Sequence, residues 1–175
     1  MVKSKLTTRV LVESAFMIAL ASVLSMIKVY EAPYGGSVTL GSMIPILYLA
    51  LRHGTGVGLF AGIVYGLVQL VLGPYVVHPV QFLLDYPIAF GLLGLAGLTP
   101  LRPAAGAALG VGGRFIAHWL AGVVFFAHFA PEGLSPALYS ALYNGTYLLP
   151  ELVVSTVVLW LLLPLLQKTR GRGRA

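Results

Sequence analysis

Gln81-Phe82-Leu83-Leu84-Asp85-Tyr86-Pro87-Ile88-Ala89-Phe90 opens a long apolar run, and its Asp85 is the only carboxylate between Glu31 and Glu132. A carboxylate at the start of an apolar helix is disfavoured unless a partner pairs with it. One interpretation is that the partner is a cationic small molecule, held in a pocket that the other helices build around Asp85. The other is that Asp85 caps the first turn of a helix at a membrane interface.

The chain as a whole is too apolar for a water-soluble domain. Of its 175 residues, 58% are hydrophobic and only 9% are charged, with a mean hydropathy of +0.92, whereas soluble domains carry roughly a quarter charged residues. The absence of cysteine excludes disulfides and thiolate metal sites. The net charge of +6 arises at the chain ends and in one class of loop, which is a membrane-topology pattern and not a nucleic-acid-binding face.

Six segments are candidates for membrane spans, each of which needs about 20 mostly apolar residues. They cover residues 6–27, 39–51, 56–72, 82–98, 104–126 and 137–166. The first follows basic residues like a signal peptide does, but Glu13 interrupts it and further spans follow at once, so we interpret it as an uncleaved helix. The second is the shortest, which suggests a tilted or partly inserted segment. The sequence predicts one all-α membrane domain over residues 1–175, with six transmembrane helices.

The basic residues predict the orientation. With six spans, both termini and the loops after spans two and four share one side. That side holds Lys3, Lys5, Arg9, Arg52, Arg102, Lys168, Arg170, Arg172 and Arg174. Lys28 is the only basic residue in the opposite loops, which also contain Glu31 and Glu132. Because basic loops stay in the cytoplasm, both termini are predicted to be cytoplasmic.

Small residues repeat every four positions on several spans, which lets helices approach closely in lipid. On the third and fifth spans these are Gly54, Gly58, Gly62, Gly66, Gly106 and Gly110. We interpret the glycines as packing positions within the chain. Ala15 and Ala19 on the first span either pack in the same way or contact a partner protein.

Polar and aromatic side chains from three separate segments fall at one depth, beneath the outer surface. Asp85 and Tyr86 lie at the outer end of span four, and His118 lies in the outer half of span five. Span six contributes a stripe with helical spacing. Its members are Tyr139, Tyr143 and Tyr147, with Asn144 beside them.

This combination suits a small cation. Aromatic faces attract a cation by roughly 0.5–2 kcal/mol each, Asp85 would supply the counter-charge, and His118 and Asn144 would supply directional hydrogen bonds. Taken singly, the tyrosines are typical of a membrane-interface belt, His118 of an interhelical hydrogen bond, and Asn144 of a bond to neighbouring backbone. Their shared depth favours a ligand pocket open to the exterior.

Arg114 and Glu151 lie near the middle of spans five and six, where an unpaired charge costs several kcal/mol. We predict that they form a structural ion pair between the two helices. The functional alternative is a proton relay, which a single pair without further titratable groups in the inner half serves poorly. No P-loop and no hydrolase motif of the His-Glu-x-x-His or Gly-x-Ser-x-Gly type occurs.

Four segments resemble the thiamine-specific S component (ThiT family) of energy-coupling factor (ECF) transporters. They are Gly-Gly-Arg-Phe-Ile-Ala-His at 112–118, Ala-Pro-Glu-Gly at 130–133, Tyr-Ser-Ala-Leu-Tyr-Asn-Gly at 139–145 and Leu-Pro-Glu at 149–151. The resemblance extends over almost the whole chain, including the six-span layout. It implies a vitamin-binding membrane subunit that works with a separate transmembrane coupling protein and two ATPase subunits.

The resemblance also implies which residues hold thiamine. The matching positions are Asp85, Tyr86, His118, Phe126, Tyr139 and Asn144, with Tyr75 also lining the site. Ala15 and Ala19 match the contact of the first helix with the coupling protein.

Three positions depart from the family pattern. Asp85 replaces a Glu, Phe126 replaces a Trp, and the first outer loop lacks a Trp, for which Tyr34 or Tyr30 is the candidate replacement. Phe125 shares the helical face of His118 better than Phe126 does, so either ring is a candidate. These departures also leave a related aminopyrimidine open as the ligand.

The sequence therefore predicts a multi-pass protein of a prokaryotic cell membrane that captures thiamine from outside for import, with loop 28–38 closing the pocket. It predicts no enzyme activity, no cofactor and no metal site. One alternative is a self-sufficient ion-coupled carrier for a small cationic or aminopyrimidine compound, which would need titratable groups reachable from both sides. Another is a membrane-embedded assembly factor without a ligand.

Overall fold

The computed structural model describes residues 7–172, without the side chains of residues 34 and 169–172. The helices of this part are α1 (Thr8–Ser25), α2 (Ile44–His53), α3 (Thr55–Leu72), α4 (Pro79–Leu98), α5 (Pro103–Phe125), α6 (Pro136–Leu161) and α7 (Leu163–Arg172). The strands are β1 (Lys28–Glu31) and β2 (Ser37–Thr39). Single 3₁₀ turns cover Pro33–Gly35 and Ala127–Phe129.

Five helices of the described residues, α1, α3, α4, α5 and α6, are long and apolar enough to cross a membrane. Helix α2 is not, because its 10 residues extend about 15 Å, half of a hydrocarbon core of roughly 30 Å. The span predicted at 39–51 is therefore corrected to a shorter helix that begins at Ile44, since Thr39 ends β2. Length and composition make five of the six predicted segments candidate membrane spans. Ile46, Leu47 and Leu49 of α2 are fully buried in the bundle.

The first outer loop is folded into a hairpin, which corrects the all-α expectation. Strands β1 and β2 pair antiparallel, with Tyr30 opposite Val38 and Glu31 opposite Ser37. Gly35, at φ +106°, supplies the left-handed backbone that the return between the strands requires. All four residues of β1, Lys-Val-Tyr-Glu, are exposed. They do not alternate between apolar and polar, so the sequence does not indicate a strand here.

Helices α3 and α4 touch backbone to backbone along the predicted glycine stripe. A Cβ atom added at Gly62 would lie 2.2 Å from the Phe90 carbonyl oxygen, and one at Gly66 would lie 2.5 Å from the Tyr86 carbonyl oxygen. The packing role predicted for the stripe is confirmed at these two glycines. Gly54 has a different role, because it separates α2 from α3 with φ +97°.

Helix α4 changes its winding along its length. Leu84–Ile88 form a π-helical turn, and Leu92–Leu98 form a 3₁₀ helix. Pro87 inside the π turn has no backbone N–H to donate, and such turns are frequent at functional sites. The span predicted at 82–98 begins instead at Pro79, and its widened turn carries Asp85.

Helices α1 and α3 run in the same direction, with α2 returning between them. At one end, Glu13 of α1 forms an ion pair with Arg52 and lies 3.2 Å from His53 Nε2, both at the end of α2. At the other end, Gln69 of α3 donates a 2.8 Å hydrogen bond to Ser25 Oγ of α1. The chain thus reverses direction through α2 even though that helix is short.

The last predicted span, 137–166, is two helices. Helix α6 ends at Leu161 and α7 begins at Leu163. Pro164 has no backbone N–H to continue the α-helical hydrogen bonding across this point. The sixth span therefore ends earlier than the sequence predicts.

Candidate ligand-binding site

A cavity of about 310 Å³ lies where the hairpin, α3, α4, α5 and α6 meet. Its size falls within the range of about 300–1,000 Å³ that is usual for small-molecule sites. The lining combines charged, amide and aromatic side chains from all of these elements. The convergence predicted from three separate segments is therefore present in the fold.

Asp85 is at the centre of a hydrogen-bonded network between α4 and α5. Its Oδ1 lies 2.8 Å from His118 Nδ1, and its Oδ2 accepts a 2.7 Å hydrogen bond from Gln81 Nε2. Arg114 Nε donates a 3.1 Å hydrogen bond to His118 Nε2. The side chains of Asp85 and His118 are only 16% and 13% exposed.

The network fixes the proton on His118. Because Nε2 accepts from the guanidinium, it carries no hydrogen, and the ring proton is on Nδ1 and is donated to Asp85. The neutral imidazole therefore lies between a cation and a carboxylate. Both carboxylate oxygens of Asp85 are engaged, and the Arg114 charge balances the Asp85 charge through His118.

The predicted ion pair between Arg114 and Glu151 is wrong: no such pair occurs among the ion pairs of residues 7–172. Arg114 lies one turn before His118 and faces α4, where its guanidinium carbon sits 4.1 Å from the centre of the Phe90 ring. Glu151 instead accepts two 2.6 Å hydrogen bonds from Thr39, one from the backbone N–H and one from the hydroxyl. Both side chains line the cavity, but each has its own partners there.

Tyr86 connects α4 to the loop that precedes it. Its hydroxyl accepts a 2.8 Å hydrogen bond from the Tyr75 backbone N–H and donates one of 3.1 Å to the Gly73 carbonyl. The Tyr75 ring packs against Phe126, with 5.8 Å between the ring centres. Phe126 lines the cavity, whereas Phe125 stacks on His78 at 4.9 Å, which answers the question of which ring faces inward.

Helix α6 presents its predicted aromatic stripe to the cavity. The ring centres of Tyr139 and Tyr143 are 6.2 Å apart, and those of Tyr143 and Tyr147 are 5.9 Å apart. Asn144 Nδ2 donates a 2.9 Å hydrogen bond to the Ser140 carbonyl, and Asn144 Oδ1 accepts one from the Tyr147 hydroxyl. The amide is thus held in one orientation beside the rings.

The hairpin is attached to α6 at two places. The Tyr143 hydroxyl accepts a 3.1 Å hydrogen bond from the Gly36 N–H and donates one to the Pro33 carbonyl. Thr39, at the end of β2, is bound to Glu151. These contacts hold the hairpin against the cavity, as the expectation for loop 28–38 requires.

Seven of the eight predicted binding residues line the cavity. They are Tyr75, Asp85, Tyr86, His118, Phe126, Tyr139 and Asn144. The eighth, Tyr34, has its backbone in the 3₁₀ turn of the hairpin, and its side chain lies outside the described part of the chain. Ala15 and Ala19 are exposed and lie away from this cavity, in an apolar groove between α1 and α3.

Several cavity residues were not predicted as part of the binding site. Gln81 is one helical turn before Asp85, so its spacing could have identified it. Arg114, at the same spacing before His118, could have been identified in the same way. Thr39, Tyr65 and Gln69 also line the cavity. They come from segments in which no sequence pattern indicates a ligand.

The chain matches the family model described as "Thiamine transporter protein (Thia_YuaJ)" over residues 11–170. It is 38% identical over 171 residues to "Thiamine transporter ThiT" of Bacillus subtilis (strain 168), a match that covers 87% of this chain and 88% of that protein. It is 34% identical over 180 residues to "Thiamine transporter ThiT" of Lacticaseibacillus paracasei, covering 88% of this chain and 86% of that protein.

The fold is also similar to a solved structure of ThiT from Listeria monocytogenes. The TM-score is 0.80 at 27% sequence identity, and the match covers 93% of this chain and 97% of that one. The similarity therefore extends over nearly the full bundle, including the elements that build the cavity. The chain belongs to the thiamine transporter protein family (Thia_YuaJ).

Proposed function

We propose that this chain is the substrate-binding membrane subunit of a vitamin importer, which captures thiamine from outside the cell. The observation that carries the proposal is the cavity of about 310 Å³ in which a carboxylate–imidazole–guanidinium network meets aromatic walls, in a chain of this family. The protein is a multi-pass membrane protein of a prokaryotic cell membrane, in keeping with its five long apolar helices and its bacterial relatives. It acts as a transporter and not as an enzyme.

The chemistry of the lining suits the two rings of thiamine. The aminopyrimidine ring carries an amino donor and ring-nitrogen acceptors, which the amide of Asn144 and the network around Asp85 can meet with hydrogen bonds. The thiazolium ring is a planar cation, which the π faces of the aromatic rings that line the cavity attract. Aromatic walls with a few oriented polar groups are typical of small-molecule sites.

The proposed topology has six crossings with both termini in the cytoplasm. In this arrangement α2 completes the second crossing as a buried short helix. Support comes from the ion cluster of Glu13, Arg52 and His53, which brings the end of α2 beside the start of α1. In this topology, Arg102 and the basic residues of both chain ends lie on the cytoplasmic side, as the positive-inside rule requires.

Delivery inward uses a separate ATP-driven module, composed of an ECF transmembrane coupling protein and two ATPase subunits. The chain itself has no nucleotide-binding motif. Ala15 and Ala19 are the proposed contact with the coupling protein. Support comes from their exposure in the groove between α1 and α3, where small residues permit close helix approach.

Titration of the purified chain with thiamine tests the binding proposal. Trp119 is a suitable reporter, because it follows His118 in α5 and its indole N–H donates a 2.9 Å hydrogen bond to the Ala137 carbonyl. We expect a saturable change in fluorescence with thiamine and none with riboflavin or biotin. If the fluorescence shows no saturable change at thiamine concentrations that include the micromolar range, the proposal is contradicted and a role without a ligand is favoured.

Two further measurements test transport and topology. Uptake of thiamine into sealed vesicles should require the coupling module and ATP, and uptake by the chain alone that an uncoupler abolishes would favour an ion-coupled carrier. Because the chain has no cysteine, single cysteines can be introduced without a background. A cysteine at Glu132 should react with an impermeant reagent from outside intact cells, and one at Arg102 should not.

A further inference from the structure

Glu151 has an unusual environment for a buried acid. It is 2% exposed and lines the cavity. Its Oε1 accepts both hydrogen bonds from Thr39. Its Oε2 is buried and has no hydrogen-bond partner among residues 7–172.

A carboxylate oxygen in this position is costly. A buried polar atom without a hydrogen bond destabilises the fold, and it does so more strongly when the group is charged. Among the described residues no cation lies within ion-pair distance of Glu151. Of the two cations that line the cavity, Arg114 is bound to His118 and packed on Phe90, and Lys28 is paired with Glu31.

Asp85 is in the opposite condition. Both of its oxygens are hydrogen-bonded, and Arg114 compensates its charge through His118. A cationic ligand would therefore gain less from Asp85 than from Glu151. This reverses the expectation that Asp85 supplies the counter-charge.

Resting on the proposed function, we propose that Glu151 is a second ligand-binding carboxylate and the counter-charge for the thiazolium ring of thiamine. Thr39 holds Oε1, which leaves Oε2 for the cation. Asp85, Gln81 and His118 then form the hydrogen-bonding end of the site. The site discriminates between charged and neutral ligands through α6 and not through α4.

The test compares thiamine with its neutral thiophene analogue, in which a carbon replaces the quaternary nitrogen. For wild-type protein we expect the analogue to bind at least about tenfold more weakly, since it forms no charge pair with a carboxylate in a desolvated site. In Glu151→Gln, the amide oxygen can still accept from Thr39. We expect this variant to bind thiamine at least about tenfold more weakly and to bind the analogue within about threefold of wild type.

Glu132→Gln is the matched control, because it makes the same chemical change at an exposed carboxylate that does not line the cavity. It should keep the wild-type preference for thiamine over the analogue. Equal loss of both ligands in Glu151→Gln, no loss of either, or a Glu132→Gln variant that also loses the preference would overturn the inference.

The wild-type comparison needs no variant to fold. Wild-type protein that binds the analogue as tightly as thiamine overturns the role of Glu151 while leaving thiamine binding intact. Wild-type protein that binds neither compound overturns the proposed function itself.

Discussion

Gly66→Ala should disturb the binding site through the contact between α3 and α4. The new Cβ would lie 2.5 Å from the Tyr86 carbonyl oxygen and 2.7 Å from the carbonyl carbon, about 0.9 Å closer than the 3.4 Å of ordinary contact. The opposing atoms are backbone, so no side chain can rotate away. The π turn that carries Asp85 must move instead.

The size of the effect follows from overpacking. Inserting a methyl group into a close contact costs about 1–3 kcal/mol. The higher helix propensity of alanine, about 1 kcal/mol, favours the free and the bound protein equally and does not change this range. Because the displaced turn carries Asp85 and Tyr86, we expect most of the cost to appear in binding. The Kd for thiamine should rise between about 5-fold and 150-fold.

Gly112→Ala on α5 is the matched control, since nothing lies within 4 Å of the Cβ it would add. Both variants would be titrated with thiamine by Trp119 fluorescence, and gel filtration would confirm that each is folded. A folded Gly66→Ala protein with a Kd within about twofold of wild type would refute the reasoning. So would a Gly112→Ala protein that binds as weakly as Gly66→Ala.

Three further predictions concern hydrogen bonds at the cavity and at the opposite end of the bundle. Tyr143→Phe removes the hydroxyl that holds the hairpin. Thiamine should therefore dissociate about 2- to 12-fold faster in stopped-flow fluorescence. An unchanged rate would show that these hydrogen bonds do not retain the ligand. Arg114→Met removes the donor to His118 and should lower the free energy of unfolding by about 1.5–3 kcal/mol in a thermal or denaturant assay, and an unaltered unfolding midpoint would contradict the network. Burial lowers the pKa of His53 below its ordinary value of 6.5, despite the nearby Glu13 carboxylate. As pH falls, His53 is protonated in the unfolded state before it is protonated in the folded state, so the free energy of unfolding should decrease below about pH 6.5. His53→Asn should flatten this dependence of stability on pH. A variant with the same pH dependence as wild type would exclude His53 as its source.

The long helices and many of the residues that line the cavity could be predicted, because each follows from a one-dimensional signal. Apolar runs of sufficient length indicated α1, α3, α4, α5 and α6. Depth along the helices then brought Asp85, His118 and Asn144 together, since side chains at one depth in a small bundle lie close to one another. The glycine contacts of α3 followed from the same spacing rule.

The errors arise where position around a helix axis or a tertiary contact decides. Arg114 and Glu151 line the same cavity, but Arg114 lies against Phe90 and Glu151 is bound to Thr39, and no spacing in the sequence indicates either contact. The hairpin was not predicted because the exposed β1 strand has no apolar alternation. The π turn of α4 has only Pro87 as a sequence signal, and a proline in a helix more often indicates a kink.

Helix α2 bears on how the protein is made. With about 15 Å of helix, this segment is a poor substrate for recognition by the translocon as an independent stop or start of transfer. In the proposed six-crossing topology, α1 and α3 run parallel, so the segment between them crosses the membrane as well. Insertion of α2 must therefore be coupled to its assembly with neighbours already in the bilayer, and biogenesis of the whole protein depends on the packing of its least membrane-like helix.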